Sequence, residues 1–336
     1  MATIKDIAKK AGVSIGTVDR VIHNRGKVAP AKKELILKII EELDYQPNDA
    51  AQRLTLLRKK IRFTFFVVDP TEHPFYEDVL KGAKQKATEL AQYGIEVDFY
   101  LVKGPEDSIE TSELQTDGIV MLNVDWLRPV ICWAHEQEIP VVYYNLPPDD
   151  PKGLAYVGCD YQSAGRIAAG LCALASDKRG VVGILSEPGA DASSYHYRVS
   201  GFRKEIQLSY PEMQIVESDT SEFGNDMEVG AVRMLRMYPE LNLIYLVNPK
   251  DYQVCPIIHA VAREAGRGDV KIITNDLTDI QRVMLSQGLI SATICQEPEY
   301  QGSKPLELLC RYVAFNEIPE KKEYYTKLSI HISQNI

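Results

Sequence analysis

The chain has 336 residues, 45% of them hydrophobic and 25% charged, with a formal net charge of −9. That length is too great for one small core and suggests two or three compact units, and the ordinary composition excludes a disordered or fibrous chain. No apolar run approaches the roughly 18–20 residues of a membrane span.

The charge is unevenly spread. Residues 1–60 hold 13 Lys and Arg against 7 Asp and Glu, a balance of +6, which leaves −15 on the other 276 residues. A small basic head on a large acidic body points to a nucleic-acid contact made by the head. The first residues run straight into a charged amphipathic pattern, so no secretory signal peptide is expected. The cysteines at 132, 159, 172, 255, 295 and 310 form no Cys-x-x-Cys pair. Most lie in apolar contexts and they read as reduced core residues of a cytoplasmic protein, with no disulfide framework and no zinc site.

In chain order, residues 3–11 place Ile4, Ile7, Ala8 and Ala11 on one helical face, with lysines opposite. Thr3 is a candidate N-cap with Asp6 three positions on, and Gly12 is suited to end the helix and turn the chain. Ser14 opens a second helix whose apolar stripe is Val18, Val21 and Ile22. Helix, glycine turn and short helix make a helix-turn-helix, whose second helix enters the major groove. Pro30 opens a third helix over 31–43, with Leu35, Ile36, Ile39, Ile40 and Leu43 as its core face. Gly12-Val13-Ser14-Ile15-Gly16 matches the G-x-S-x-G nucleophile elbow, but that motif needs a preceding strand and a helix precedes it here.

From residue 61 the period changes. Strands are predicted at 61–68, 95–101, 118–122, 140–144, 181–185, 243–247 and 270–274, with a helix over about 74–93 and further helices between. Alternating strands and helices, about ten strands in all, predict two doubly wound lobes with parallel sheets. Ligands of such sheets bind beyond the carboxyl ends of the strands. Polar residues sit there: His73 with Phe75 and Tyr76, then Asn145, Asp160, Asn248, Asn275-Asp276 and Gln296. Arg198 lies early in a predicted helix. Asp160 and Asn145 are equally good helix caps, and for Asp160 capping and ligand contact are left as equal alternatives. Trp126, Trp133 and Tyr195 are candidates for the pocket or the core. His135 and His196 lack metal-ligand spacing. There is no phosphate loop, no dinucleotide fingerprint and no zinc-protease motif, so no enzyme is expected.

The stretches Thr3–Ala8, Ala11–Ser14, Thr17-Val18, Arg20-Val21, Tyr45–Asn48 and Ala51–Leu54 resemble, in order, the headpiece of the lactose-repressor (LacI) family. The resemblance implies DNA contacts at Thr3, Ser14, Ile15, Gly16, Thr17, Asp19, Arg20, Asn24, Asn48, Gln52 and Leu54. It makes Leu54 a wedge in the minor groove, where unstacking a base step is repaid by contacts to a kinked duplex. Arg20 would meet a guanine edge or a phosphate, and Ile15 a thymine methyl. Asp19 would accept from a cytosine amino group or pair with a cation. Asp49 stands where the family often has a basic residue.

The body is similar to the family's effector domain, through Pro74–Tyr76, Gly158-x-Asp160, Arg198-x-x-Gly201-Phe202, Asp276 and Gln296-x-Pro298-x-x-Gln301-Gly302. The resemblance implies an α/β, periplasmic-sugar-binding-protein-like domain. A small carbohydrate or polyol effector would be held by His73, Phe75, Tyr76, Asn145, Asp160, Arg198, Asn248, Asp276 and Gln296. His73 departs from the asparagine common in sugar binders, and Asn145 from the common aspartate. The predicted organisation is a headpiece at 1–46, a hinge and linker at 47–60, and an effector and dimerisation domain at 61–336. The function implied is an operator-binding regulator, a cytoplasmic homodimer without cofactor, metal or membrane contact. A ligand-binding module without regulatory DNA contact, or a sugar-active enzyme, is the alternative.

Overall fold

The computed structural model describes residues 3–22, 28–43, 57, 59–107, 109–186, 193–217, 226–249 and 252–336. Three short helices come first: α1 (Ile4–Ala11), α2 (Ile15–Ile22) and α3 (Pro30–Glu42). Ile7, Ala8, Val18, Val21, Ile36 and Ile39 form their shared core. Thr3 caps α1 in a capping box with Asp6, and Gly12 takes a left-handed φ of 64° at the other end. A residue with a Cβ would be strained there.

One expectation for the head is corrected. Leu35 is 46% exposed instead of buried. It lies about 100° around the helix from Ile36, and a three-helix unit covers only one stripe of α3.

The body contains two six-stranded sheets among the described residues. The first carries β1 (Arg62–Val68), β2 (Glu96–Val102), β3 (Gly118–Met121), β4 (Val141–Asn145), β5 (Ala155–Gly158) and, late in the chain, β11 (Glu323–Tyr325). Their order is β11-β5-β4-β3-β1-β2, parallel throughout. Its helices are α4 (Phe75–Ala91), α5 (Arg128–Glu136) and α11 (Pro298–Phe315). Alternation along β1 serves both faces. Phe63, Phe65 and Val67 meet α4 and α11, while Phe66 meets α5. Such two-sided burial is why β1 reads as an unbroken apolar run.

The second sheet holds β6 (Gly180–Ser186), β7 (Met213–Glu217), β8 (Leu241–Val247), β9 (Lys271–Asn275), β10 (Ala292–Cys295) and β12 (Ser329–His331). The order is β12-β10-β9-β8-β6-β7, and only the β10–β12 pair is antiparallel. Helices α6 (Tyr161–Ala175) and α7 (Ser193–Ser209) cover one face. Helices α8 (Met227–Met237), α9 (Val254–Glu264) and α10 (Asp279–Ser286) cover the other.

The chain passes between the lobes three times: from β5 to α6, from β10 to α11, and from β11 to β12. Each lobe also has one pair of helices in backbone contact. In the first, a Cβ at Gly82 of α4 would strike the carbonyl of Glu299, and one at Gly302 of α11 would strike that of Val79. In the second, Gly165 of α6 faces the carbonyl of Arg198, and Gly201 of α7 that of Gln162. These pairs carry residues of the cleft.

Candidate effector cleft and DNA-reading head

A cavity of about 410 Å³ opens at the carboxyl ends of both sheets. That size is typical of small-molecule sites. Eight of the nine residues proposed from sequence line it: His73, Phe75, Tyr76, Asn145, Arg198, Asn248, Asp276 and Gln296. Asp160 is the exception and is corrected. Its carboxylate accepts from the Ser163 amide at 3.0 Å and the Ser163 hydroxyl at 2.7 Å, capping α6, and it does not line the cavity. Its place just inside a crossing turns it to the helix terminus, where a carboxylate satisfies free amides.

Three polar residues at strand ends share an uncommon backbone. Asn145 has φ 59°, Asn248 46° and Asp276 71°. The left-handed region tolerates Asn and Asp better than other residues with a side chain. The sharp reversal turns each side chain into the cleft and strands the backbone groups beside it. Those are then satisfied locally. Tyr156 and Tyr161 hydroxyls donate to the Asn145 carbonyl at 2.6 and 3.0 Å. Gln281 Nε2 donates to the carbonyls of Asn275 and Asp276 at 2.5 and 2.9 Å.

Arg198 is only 3% exposed. Its Nη1 donates to Asn248 Oδ1, its Nη2 lies 3.9 Å from Asp276 Oδ1, and its guanidinium sits 4.9 Å from the Tyr161 ring centre. Its Nε has no hydrogen-bond partner among the described residues. Burial opposes its charge, but Asp276 and the surrounding Tyr and Cys groups outweigh this and hold its pKa above the usual arginine value. Asp276 Oδ1 accepts from Gln296 Nε2 at 2.6 Å, and Asn248 Nδ2 donates to Ser194 at 3.0 Å.

On the opposite lobe, Tyr76 packs edge-on against Phe75 and His73, with ring centres 5.3 and 5.5 Å apart. His73 Nδ1 accepts from the Phe75 amide at 3.3 Å, which assigns the proton to Nε2. Burial lowers the His73 pKa, partly offset by Asp276 and reinforced by Arg198. The cleft therefore combines a buried cation, a carboxylate, amides and aromatic faces, the groups that bind vicinal hydroxyls and an apolar ring face.

Tyr161, Ser194, Tyr252 and Gln281 also line the cleft, and sequence reasoning missed them. Gln281 sits in a capping box with Thr278, the one sequence signal available. Trp126 and Trp133 pack on the far face of the first sheet, and Tyr195 packs against the α6–α7 core, so none of them lines the cavity. His135 Nε2 meets Asp150 at 2.8 Å, away from any metal cluster. Among the described residues no His, Cys, Asp or Glu group is arranged to hold a metal ion. Among them, too, no helix is long and apolar enough to cross a membrane.

In the head, Thr3 and Ser14 act as helix caps. The Thr3 hydroxyl donates to Asp6 at 2.7 Å, and Ser14 Oγ accepts from the Thr17 amide at 3.2 Å. Ile15 (48% exposed), Gly16 and Arg20 lie on the outer face of α2, with Thr17 and Asp19 half-buried beside them. A Cβ at Gly16 would meet only Ser14 Oγ, at 3.9 Å, so packing does not require glycine there. Asn24, Asn48, Asp49, Gln52 and Leu54 lie outside the described residues, as does nearly all of the 47–60 linker.

A helix-turn-helix head joined to a two-lobed α/β body with a polar cleft is the architecture of a bacterial regulatory protein built on a periplasmic-binding fold. Residues 3–48 match the bacterial regulatory proteins of the lacI family, and residues 64–317 match the periplasmic binding protein domain. The chain joins a head that matches the lacI-family regulatory proteins to a body that belongs to the periplasmic binding protein domain family. Catabolite control protein A of Priestia megaterium is 26% identical over 329 residues, 93% of this chain and 92% of that protein. The sucrose operon repressor of Escherichia coli is 30% identical over 167 residues, 48% of this chain and 49% of that protein. The chain spans about half the length of the first curated relatives it matches. Among solved structures, the arabinose-binding protein AraP of Geobacillus stearothermophilus superposes with a TM-score of 0.67 at 20% identity. The glucose-galactose binding protein GanP of the same species does so with 0.65 at 21%. Each covers 82% of this chain and 98% of its own. At such identities the likeness concerns the fold.

Proposed function

We propose that the protein is a cytoplasmic transcriptional regulator, acting as a repressor. As a homodimer it binds a pseudo-palindromic DNA operator through two heads, and a small carbohydrate or polyol in the cleft controls its affinity. The observation that carries the reading is one chain with both an outward-facing α2 beside a basic head and a cleft lined by Arg198, Asp276, Asn248 and Asn145. The two-lobe cleft supplies the differential binding that allostery needs, because a ligand touching both lobes favours one angle between them. In this reading Leu54 is the minor-groove wedge and Asn24, Asn48 and Gln52 make further DNA contacts, a proposal supported by the headpiece resemblance of the sequence. No catalytic constellation is proposed.

Two measurements test the reading. In a gel shift with DNA from upstream of its own operon, the protein selects one site over competitor DNA at moderate salt. Its affinity falls steeply as salt rises, since counterions leave the phosphates on binding. In a thermal-shift screen of neutral sugars, polyols, sugar acids and sugar phosphates, a sugar-like compound raises the melting temperature as RT ln(1 + [L]/Kd) requires. The same compound then changes the gel shift. Absence of sequence preference would sink the regulator reading, and a sugar that binds without altering the gel shift would leave a ligand-binding module.

A further inference from the structure

Gln301, in the first turn of α11, is fully buried and does not line the cavity. It lies between two residues that do. Its Nε2 donates to the Gln296 carbonyl at 2.9 Å and to Gln296 Oε1 at 3.3 Å. Its Oε1 accepts from Asn145 Nδ2 at 3.1 Å, and Asn145 Oδ1 accepts from the Tyr76 hydroxyl at 3.3 Å. At the other end, Gln296 Nε2 donates to Asp276 at 2.6 Å. A single chain of hydrogen bonds thus runs Tyr76–Asn145–Gln301–Gln296–Asp276. It starts in one lobe, follows the β10–α11 crossing and ends in the other lobe.

The direction of this chain is fixed. A side-chain amide has two orientations that swap donor for acceptor. A backbone carbonyl only accepts, so Gln301 must turn its NH2 toward residue 296. Its oxygen then faces Asn145, which must present its NH2 and receives the Tyr76 proton on its oxygen. Gln296 takes a proton on Oε1, so its own NH2 goes to the Asp276 carboxylate, which also only accepts. The glycine beside Gln301, Gly302, brings α11 against α4, the helix that carries Tyr76.

We propose that Gln301 is a positioning residue that sets the donor and acceptor orientation of Asn145 and Gln296 and so couples the polar faces that the two lobes turn to the cleft. This rests on reading the cleft as the effector site. Through Gln301 the Tyr76 hydroxyl spends its proton on Asn145 and turns an acceptor oxygen to the cleft, opposite the Asp276 carboxylate, which only accepts; the pair matches a polyol that brings hydroxyl hydrogens to both lobes.

The experiment is a three-position cycle on the full chain, read by urea unfolding. Tyr76→Phe and Gln296→Met remove groups at opposite ends of the chain that are not bonded to each other. With Gln301 present, the double variant's unfolding constant departs about two-fold or more from the product of the single effects, as for members of one network. In the Gln301→Met background, which keeps length and burial, the departure vanishes. Coupling that persists there overturns the proposal, and so does additivity in the parent. Should Gln301→Met fail to fold, side-chain amide exchange of Asn145 in the unsubstituted protein decides, with the signal assigned by its loss in Asn145→Asp. Slow exchange supports the relay, and exchange at the rate of an exposed amide overturns it. No sugar is needed for either measurement, so a cleft that bound no sugar would end the effector reading and leave this result standing.

Discussion

Arg198 and Asp276 face each other at 3.9 Å across the floor of the second lobe, yet each makes its closer hydrogen bond to a different residue. Arg198 donates to Asn248, and Asp276 accepts from Gln296. The two charges are near enough to balance and far enough apart for a hydroxyl to bridge them. Arg198→Ala removes the donor to Asn248 and leaves the half-buried Asp276 without its neighbouring cation. A loss of about 1–3 kcal/mol in urea unfolding is expected. Operator binding in gel shifts is retained, and the response to the sugar found in the thermal screen disappears. An unchanged sugar affinity by calorimetry would remove Arg198 from the site.

The left-handed backbone at Asn248 separates two roles of that residue. Asn248→Gly loses the side-chain bonds to Arg198 and Ser194 but keeps an unstrained backbone. Asn248→Ala loses the same bonds and adds a left-handed Cβ, at a cost of roughly 1 kcal/mol. The alanine variant should therefore unfold at lower urea than the glycine variant. The reverse order would show that the strand end relaxes when the side chain is gone.

Gly165 tests how far the cleft depends on the helices behind it. A Cβ there collides with the Arg198 carbonyl, so Gly165→Ala must push α7 away from α6. A destabilisation of about 1–3 kcal/mol is expected from such overpacking. Weaker sugar binding should follow, although residue 165 does not line the cavity. Gly170, on the same helix, has only the Tyr210 hydroxyl nearby at 3.9 Å. Gly170→Ala should be neutral or slightly stabilising, by up to about 1 kcal/mol.

His73 gives the cleft a pH dependence whose sign is fixed by burial. Its pKa in the folded chain lies below the ordinary value of 6.5, with Asp276 and Arg198 as the charged groups acting on it. The unfolded chain therefore binds more protons between the two values. The stability contributed is present in full above 6.5 and is lost as pH falls through the depressed folded value. His73→Asn, which has no proton to gain, should flatten that part of the stability curve in urea titrations between about pH 7 and 5. A variant with the same slope as the parent would place the pH dependence elsewhere.

Local patterns made most of the architecture legible. The alternation of β1, the caps at Thr3 and Ser14 and the turn at Gly12 are all set by neighbouring residues. The cleft was legible where polar residues end strands, because an Asn or Asp there is both a backbone choice and a side chain aimed beyond the sheet. Asp160 shows the limit of that rule, since the same position also begins a helix and the amides of α6 hold its carboxylate. Tyr161 and Tyr252 could not be read at all, and Gln301 was legible only as a member of the Gln296-x-Pro298-x-x-Gln301-Gly302 pattern, without its contacts. Tyr161 enters through its distance to Arg198, 37 positions along the chain, and Gln301 through a bond to Asn145, 156 positions away. Leu35 failed for the opposite reason, because a helix with apolar residues on two faces does not announce which face is covered.

The three passages between the lobes limit what the protein can express. A single connecting strand would act as a swivel and let one lobe spin or slide on the other. Three strands side by side act as the spine of a book. Three such connections would resist twisting and shearing and leave opening about a single line as the expected soft motion. In the proposed regulator, a ligand of any shape that fits between the pages would be converted into the same scalar quantity, an angle.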